Sequence, residues 1–133
     1  MRRMVTVDGL APVPYSYAAV APAGTVFTAG ACPLDEHGKV VAPGDIPAQT
    51  RRVLENLSVT LRAADCDFED VVKTTVYVAT DRRADLVDAW HEIERAFGAD
   101  MPPSTLIGVA VLGWPEQLVE VEAVAARRAS ALE

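Results

Sequence analysis

Two stretches of the chain repeat their apolar residues every three to four positions, and both are predicted to be amphipathic helices. The first begins after Asp45, a candidate cap, and Pro47 fits its first turn, where no N–H bond is lost. The second follows Asp81, another candidate cap, and Gly98 fits its end. The apolar faces are Ile46, Val53, Leu54, Leu57, Leu61 and Ala64 in the first helix, and Leu86, Ala89, Trp90, Ile93, Ala96 and Phe97 in the second.

Other segments are rich in β-branched residues or alternate between apolar and polar positions, as strands do. The predicted strands are 24–34, 71–79, 104–113 and 117–126, with a turn at His37-Gly38 after the first of them. The expected order, which counts two strands before the first helix, is strand–strand–helix–strand–helix–strand–strand. This order predicts an α+β domain, with both helices packed on one face of a mixed sheet.

The last strand has two different faces. Alternation puts Leu118, Glu120, Glu122 and Val124 on one side, and Val119, Val121, Ala123 and Ala125 on the other. The all-apolar side is expected to meet the helices. The side with two carboxylates among apolar neighbours is then left open, and such a face often becomes an oligomer interface.

Composition narrows the possible functions. A chain of 133 residues predicts one domain over 1–133. The net charge of −7 and the scattered basic residues argue against a nucleic-acid partner. No apolar run is long enough to cross a membrane, no metal-ligand spacing is present, and two cysteines form no framework. These features favour a reduced cytoplasmic protein.

Five segments occur in a distinctive order: "PYSYA", "TAGACPLD", "GDIPAQTRRVLENL", "FEDVVKTTVYV" and "LVEVEAVA". In this order and spacing, from about Pro12 to Ala126, the chain resembles the Rid proteins, also called the YjgF or L-PSP family. The resemblance implies a chorismate-mutase-like α+β fold and a homotrimer whose sheets line a central barrel. It also implies small-molecule clefts between subunits, and hydrolysis of 2-imino or enamino acids to 2-keto acids and ammonia without a cofactor or metal.

The resemblance also implies roles for individual residues. Glu120 matches a glutamate thought to position or activate the attacking water, and Tyr15 matches a cleft-lining tyrosine. Gly30 matches a glycine whose backbone faces the ligand. Ala29 and Ala31 occupy neighbouring positions where serine and glutamine are common in the family.

One family feature is missing. Aligning Ser104 and Thr105 with the family puts Pro103 where the deaminases have an arginine that pairs with the substrate carboxylate. A guanidinium binds a carboxylate through two parallel hydrogen bonds, so it also orients the substrate. No lysine or arginine lies between Arg95 and Arg127, so a shifted alignment does not recover the charge. Ordinary 2-imino acids are therefore expected to be poor substrates.

Some residues have two interpretations. Trp90 falls near a second-helix position that often holds asparagine, and it either packs in the core or lines the cleft; His91 is expected to be exposed. Cys32, beside Pro33, is expected to be a small buried side chain rather than a nucleophile paired with His37.

Two functions remain open. One is a deaminase-like hydrolase in which Glu120 acts on water, while Tyr15 and the Thr105 N–H orient a substrate less acidic than a free imino acid. The other is a non-catalytic trimer that binds a neutral or cationic metabolite, with Trp90 offering a ring face if it lines the site. The acidic composition argues against the ribonuclease activity attributed to some family members.

Overall fold

A computed structural model describes residues 1–128, in which two helices pack on a six-stranded mixed sheet. The strands are β1 Arg2–Met4, β2 Ala18–Val20, β3 Thr25–Thr28, β4 Val71–Ala79, β5 Ser104–Val109 and β6 Val119–Ala126. The helices are α1 Ile46–Ala63 and α2 Arg83–Phe97. In this part of the chain no helix has the length and apolar character that a membrane span requires. Residues 129–133 of the predicted domain lie outside the described part.

The sheet has the order β1-β2-β3-β6-β4-β5. Strands β4 and β5 are parallel and are joined through α2, as parallel neighbours need a long crossover. The other neighbouring strands pair antiparallel. The last strand, β6, therefore lies inside the sheet, between β3 and β4.

The alternation predicted for β6 is confirmed. Val119, Val121, Ala123 and Ala125 are buried in one hydrophobic core with the apolar faces of α1 and α2. Glu120 and Glu122 are half-buried on the opposite side of the strand. Both helices thus cover one face, and the opposite face, here called the open face, lacks a covering layer within residues 1–128.

The helix ends follow the sequence signals with one exception. The Asp45 side chain accepts a hydrogen bond from the Ala48 N–H at 3.0 Å, and α2 ends at Gly98. The predicted Asp81 cap is wrong. The N-cap residue is Arg82, and no side chain caps the helix. Just before the helix, the Thr80 hydroxyl accepts a hydrogen bond from the Arg82 N–H at 3.0 Å.

The predicted strand 24–34 is too long, since β3 ends at Thr28. Beyond it the chain leaves the sheet, keeping one bridge between Ala31 and Val121. Here the backbone carbonyls bond to a side chain of α1 instead of to a neighbouring strand. The Asn56 amide donates to the carbonyls of Cys32 and Leu34, each at 2.9 Å. A helix amide therefore replaces a strand partner for this loop, 29–34.

The strand count also differs from the prediction. Three strands precede α1 instead of two, because β1 and β2 are only three residues each and too short to show periodicity. The last two strands are shorter than predicted. Strand β5 ends at Val109 instead of residue 113, and β6 begins at Val119 instead of residue 117.

Candidate functional site

Glu120 extends from β6 on the open face and packs directly against Gly30. A Cβ atom added to Gly30 would lie 2.0 Å from Glu120 Oε2 and 2.5 Å from its Cδ. Real Cβ atoms do not approach other atoms so closely, so the carboxylate fits only because residue 30 has no side chain. The geometry thus brings Gly30 and Glu120, two of the predicted site residues, into direct contact.

Two neutral donors hold the other carboxylate oxygen. Glu120 Oε1 accepts a hydrogen bond from Gln117 Nε2 at 2.9 Å and from the Cys32 thiol at 3.3 Å. Gln117 is 4% exposed and also donates to the Val119 carbonyl at 3.1 Å. Glu120 is therefore fixed in position by its own chain.

Cys32 is buried, as expected, but it is also a hydrogen-bond donor. Burial, followed by the charge and the hydrogen bond of Glu120, raises the pKa of the Cys32 thiol to about 12. A thiol with this pKa stays protonated at neutral pH and is a poor nucleophile. The geometry gives no support to a pair with His37, whose side chain is exposed on the turn.

Tyr15 lies next to the same loop. Burial, and then the charge of Cys32, raises the pKa of the Tyr15 phenol, so it remains a neutral donor. Its ring packs edge-on against Tyr17, with centroids 6.1 Å apart. Tyr15 shares a lining with Ala29 and Ala31 around a space of about 10 Å³, room for a single water at most. A larger ligand cannot be enclosed there by one chain.

A buried glutamine of α1 positions the turn that precedes β6. Gln49 is fully buried and donates to the carbonyls of Val41 at 3.1 Å, Ala42 at 3.3 Å and Glu116 at 3.0 Å. Its own oxygen accepts from the Leu118 N–H at 2.8 Å. Glu116 has a φ of 65°, a left-handed conformation that is uncommon without glycine. Gln49 therefore helps to hold the turn that carries Gln117.

Three more predicted residues lie at β5, the edge strand that β4 separates from β6. Ser104 accepts a hydrogen bond from Thr74 Oγ1 at 2.7 Å, and the Pro103 carbonyl accepts from the Thr74 N–H at 3.0 Å. Thr105 is exposed on the open face, and its hydroxyl accepts from Lys73 Nζ at 3.0 Å. Lys73 comes from the neighbouring strand β4.

Trp90 is half-buried on α2 and packs against the hydrophobic core. Its contact with the core agrees with the first of its two interpretations. His91 is exposed, as expected.

Apart from Trp90, the predicted site residues thus fall into two groups, and each group also contains residues that contact them in the structure. The Glu120 cluster consists of Tyr15, Ala29, Gly30, Ala31, Cys32, Gln117 and Glu120. The β5 edge consists of Lys73, Pro103, Ser104 and Thr105. Strand β4 separates β6 from β5, so one chain does not bring the two groups into a single pocket.

Sequence reasoning missed Gln117 and Lys73. Gln117 acts through a turn whose geometry depends on Gln49, far away in sequence, and no local pattern marks it. Lys73 did carry a signal, because it is the single charged residue in the apolar strand segment "VVKTTVYVA".

Within residues 1–128, Asp67, Glu69 and Asp70 form a group of carboxylates close enough together to hold a metal ion. These carboxylates already bond to the backbone and to an arginine. Asp67 and Asp70 cap the backbone of one short turn, and the Arg128 guanidinium lies 3.3 Å from Glu69 and 3.7 Å from each aspartate. The group is explained by these contacts and lies outside both site groups.

Known proteins match this chain over nearly its whole length. A family model described as Endoribonuclease L-PSP covers residues 8–127. The RutC family protein UK114 of Drosophila melanogaster is 35% identical over 94% of this chain and 89% of that protein. A Mus musculus protein named 2-iminobutanoate/2-iminopropanoate deaminase is 34% identical over 84% of this chain and 80% of its own length.

Solved structures agree. The crystal structure of the YjgF gene product from E. coli superposes with a TM-score of 0.81 at 27% identity, covering 96% of this chain and all of that one. The chain therefore belongs to the Rid family, also called the YjgF or L-PSP family.

Proposed function

We propose that this protein is a cofactor-independent hydrolase of imines or enamines, assembled in the cytoplasm as a homotrimer with its substrate clefts between subunits. The observation that carries the proposal is the fixed Glu120 carboxylate on the open face. Gln117 and Cys32 hold Oε1, while Oε2 lies against Gly30. The relative named as a 2-iminobutanoate/2-iminopropanoate deaminase supports the same reaction class.

The chemistry needs one group that can accept and return a proton. In the proposed step, water attacks the carbon of the C=N bond and gives a proton to Glu120. The electron pair of the C=N bond moves to nitrogen, which takes up that proton. Glu120 next takes the hydroxyl proton of the resulting carbinolamine and passes it to the nitrogen. An oxygen electron pair forms the C=O bond as the C–N bond breaks, and ketone and ammonia leave. Imine and water are the complete reactants, so the step requires no oxidant or reductant.

The separation of the two site groups supports a cleft between copies. The Glu120 cluster has no enclosed space for a ligand within one chain, and the β5 edge lies beyond β4. The open face also carries the exposed apolar side chains of Phe27 and Ile107. In the proposed assembly, the open faces pack together and the β5 edge of one copy meets the Glu120 cluster of the next.

Pro103 limits the substrate. It has no side-chain donor, so a guanidinium does not orient a carboxylate beside the reacting carbon, as it does in the deaminases that the sequence resembles. We therefore propose that ordinary 2-imino acids are weak substrates and that the preferred substrate differs from them.

The test is hydrolysis of fresh imines, generated in place by an amino-acid oxidase and followed with and without protein. Glu120→Gln should reduce the rate to the blank. Glu122→Gln is the matched control, since Glu122 lies on the same strand and face but bonds to Tyr77. The proposal fails if wild-type protein never exceeds the blank across acidic, neutral and basic side chains, or if Glu120→Gln retains full activity.

One observation favours an alternative, a trimer that binds a metabolite without changing it. The donors to Glu120 within the described chain are a neutral amide and a neutral thiol, so its negative charge is available to a cationic ligand. Ligands that raise the melting temperature, while the imine rate stays at the blank, would favour this binding function.

A further inference from the structure

We propose that Lys73 is the anion-binding residue of the cleft, and that the ligand is a small acid whose carboxylate binds the free donor of Lys73 Nζ, beside the Thr105 hydroxyl. The inference rests on the proposed function for the location of the cleft and adds the charge class of the ligand. Its own observations concern the β5 edge and are independent of Glu120.

The first observation is the position of Lys73 in the sheet. Thr74 pairs with Ser104, so Lys73 lies level with Pro103 on the next strand. The cation that is missing at Pro103 is therefore supplied one strand away, roughly 5 Å across the sheet. Comparing the β5 sequence alone with the family does not reveal this cation, because it comes from β4.

The second observation is how the ammonium is held. Lys73 Nζ donates to Thr105 Oγ1 at 3.0 Å and to the Thr74 carbonyl at 3.3 Å. Both partners are neutral, and the ion pairs within residues 1–128 involve other basic residues. An ammonium has three donors, so one remains for an incoming carboxylate. The charge is localised by two contacts and is not neutralised.

The third observation is the local surroundings. A register irregularity between Val71 and Lys73 leaves Val72 and Lys73 exposed side by side, and Val72 is 51% exposed. Ile107, two residues beyond Thr105 on the same strand face, is 44% exposed. A bulge next to a site commonly redirects side chains. Apolar neighbours lower the local dielectric once a second copy covers them, which strengthens the attraction between an ammonium and an anion.

The chemistry of this anchor differs from that of a guanidinium. A lysine is a point charge on a flexible stem, so it attracts a carboxylate without fixing its plane. The ligand is thus still an acid, but its orientation must come from other contacts. This agrees with the proposal that ordinary 2-imino acids are weak substrates, and it places the preferred substrate among acids that have a larger body to position.

Direct binding tests the inference without turnover. The probes are 2-oxobutanoate, a stable 2-keto acid, and its uncharged amide, 2-oxobutanamide. Wild-type protein should bind the acid more tightly than the amide. Lys73→Met should weaken acid binding about tenfold, as expected for one charge-assisted hydrogen bond, and leave amide binding unchanged. Lys73→Arg should retain most of the affinity.

The chain offers a matched control, because Lys39 and Lys73 are its two lysines. Lys39→Met, on the exposed turn, should bind both probes like the wild type. If Lys73→Met fails to fold, wild-type protein is acetylated with and without the acid, and mass spectrometry compares the two lysines. The acid should slow modification of Lys73 and leave Lys39 unchanged.

The inference is overturned if Lys73→Met binds the acid as tightly as the wild type, if the acid does not protect Lys73, or if the wild type does not prefer the acid over the amide at millimolar concentration. A failure of the hydrolase proposal gives a different result. In that case the imine rate equals the blank, while the acid still binds through Lys73.

Discussion

The Glu120 carboxylate occupies the space where any side chain on residue 30 would have to be: a Cβ on Gly30 would lie 2.0 Å from Glu120 Oε2. This contact joins the loop after β3 to the open face of β6, and it makes the position of the carboxylate depend on a residue with no functional group of its own.

The first prediction follows from that contact. Gly30→Ala should displace the Glu120 side chain and lower imine hydrolysis at least tenfold, because a base must lie within hydrogen-bond reach of the water it activates. Gly113→Ala is the matched control, since a Cβ there meets nothing within 4 Å. Initial rates and a crystal structure of the variant would check it. Unchanged activity of Gly30→Ala would show that the contact does not set the position of the base.

The second prediction concerns the turn before β6. Gln49→Leu should lower the free energy of unfolding by about 2–4 kcal/mol, because buried carbonyls and the Leu118 N–H lose their partner. Ser58→Ala, half-buried on the same helix, should change it by much less. Urea unfolding measures both. A loss below about 1 kcal/mol for Gln49→Leu would mean that water replaces the amide.

Sequence periodicity predicted the elements whose residues repeat at a regular spacing. Both helices, β4 and the two faces of β6 follow from the 3.6- and 2-residue periods, since burial on one side imposes them directly. The end of β3 at Thr28 did not follow, because it depends on hydrogen bonds from Asn56, a residue distant in sequence. Lys73 and Gln117 also depend on distant residues: Lys73 contacts Thr105 on β5, and Gln49 on α1 holds the turn that carries Gln117.

The third prediction is a pH dependence of Cys32. Its folded pKa, about 12, is above the ordinary value of 9.0, so the folded state favours the protonated thiol. This contribution to stability is complete below pH 9 and is lost as the pH rises towards 12, because the unfolded state releases the proton first. In a Cys66→Ala background, Cys32 should therefore resist alkylation at neutral pH.

Glu120 provides the control for this titration. Its charge and hydrogen bond both raise the pKa of the thiol, so Glu120→Gln should lower that pKa and speed alkylation of Cys32 at a fixed alkaline pH. An alkylation rate that does not change in Glu120→Gln would contradict the contact between Cys32 and Glu120.

The fourth prediction concerns assembly. Phe27, 51% exposed on the open face, should be buried between copies, so Phe27→Glu should convert the proposed trimer to monomers and abolish hydrolysis. Val87 is similarly exposed, at 48%, but lies on α2 across the sheet. Val87→Glu should leave both properties unchanged. Light scattering measures the mass, and a trimer that persists in Phe27→Glu would place the interface elsewhere.

In the proposed assembly, one cleft uses Glu120 of one copy and the β5 edge of another. Mixing subunits distinguishes this arrangement from a site within one chain. Glu120→Gln lacks the base, and Thr105→Tyr fills the β5 edge with a bulky ring, so each variant alone should be inactive.

The measurement is the imine-hydrolysis rate after the two variants are unfolded and refolded together in equal amounts. If two copies share each cleft, about a quarter of the clefts combine an intact Glu120 with an intact β5 edge, and roughly that fraction of wild-type activity returns. If both halves belonged to one chain, every cleft would keep one defect. Activity that stays at the blank in the mixture, or full activity of Thr105→Tyr alone, would contradict the shared site.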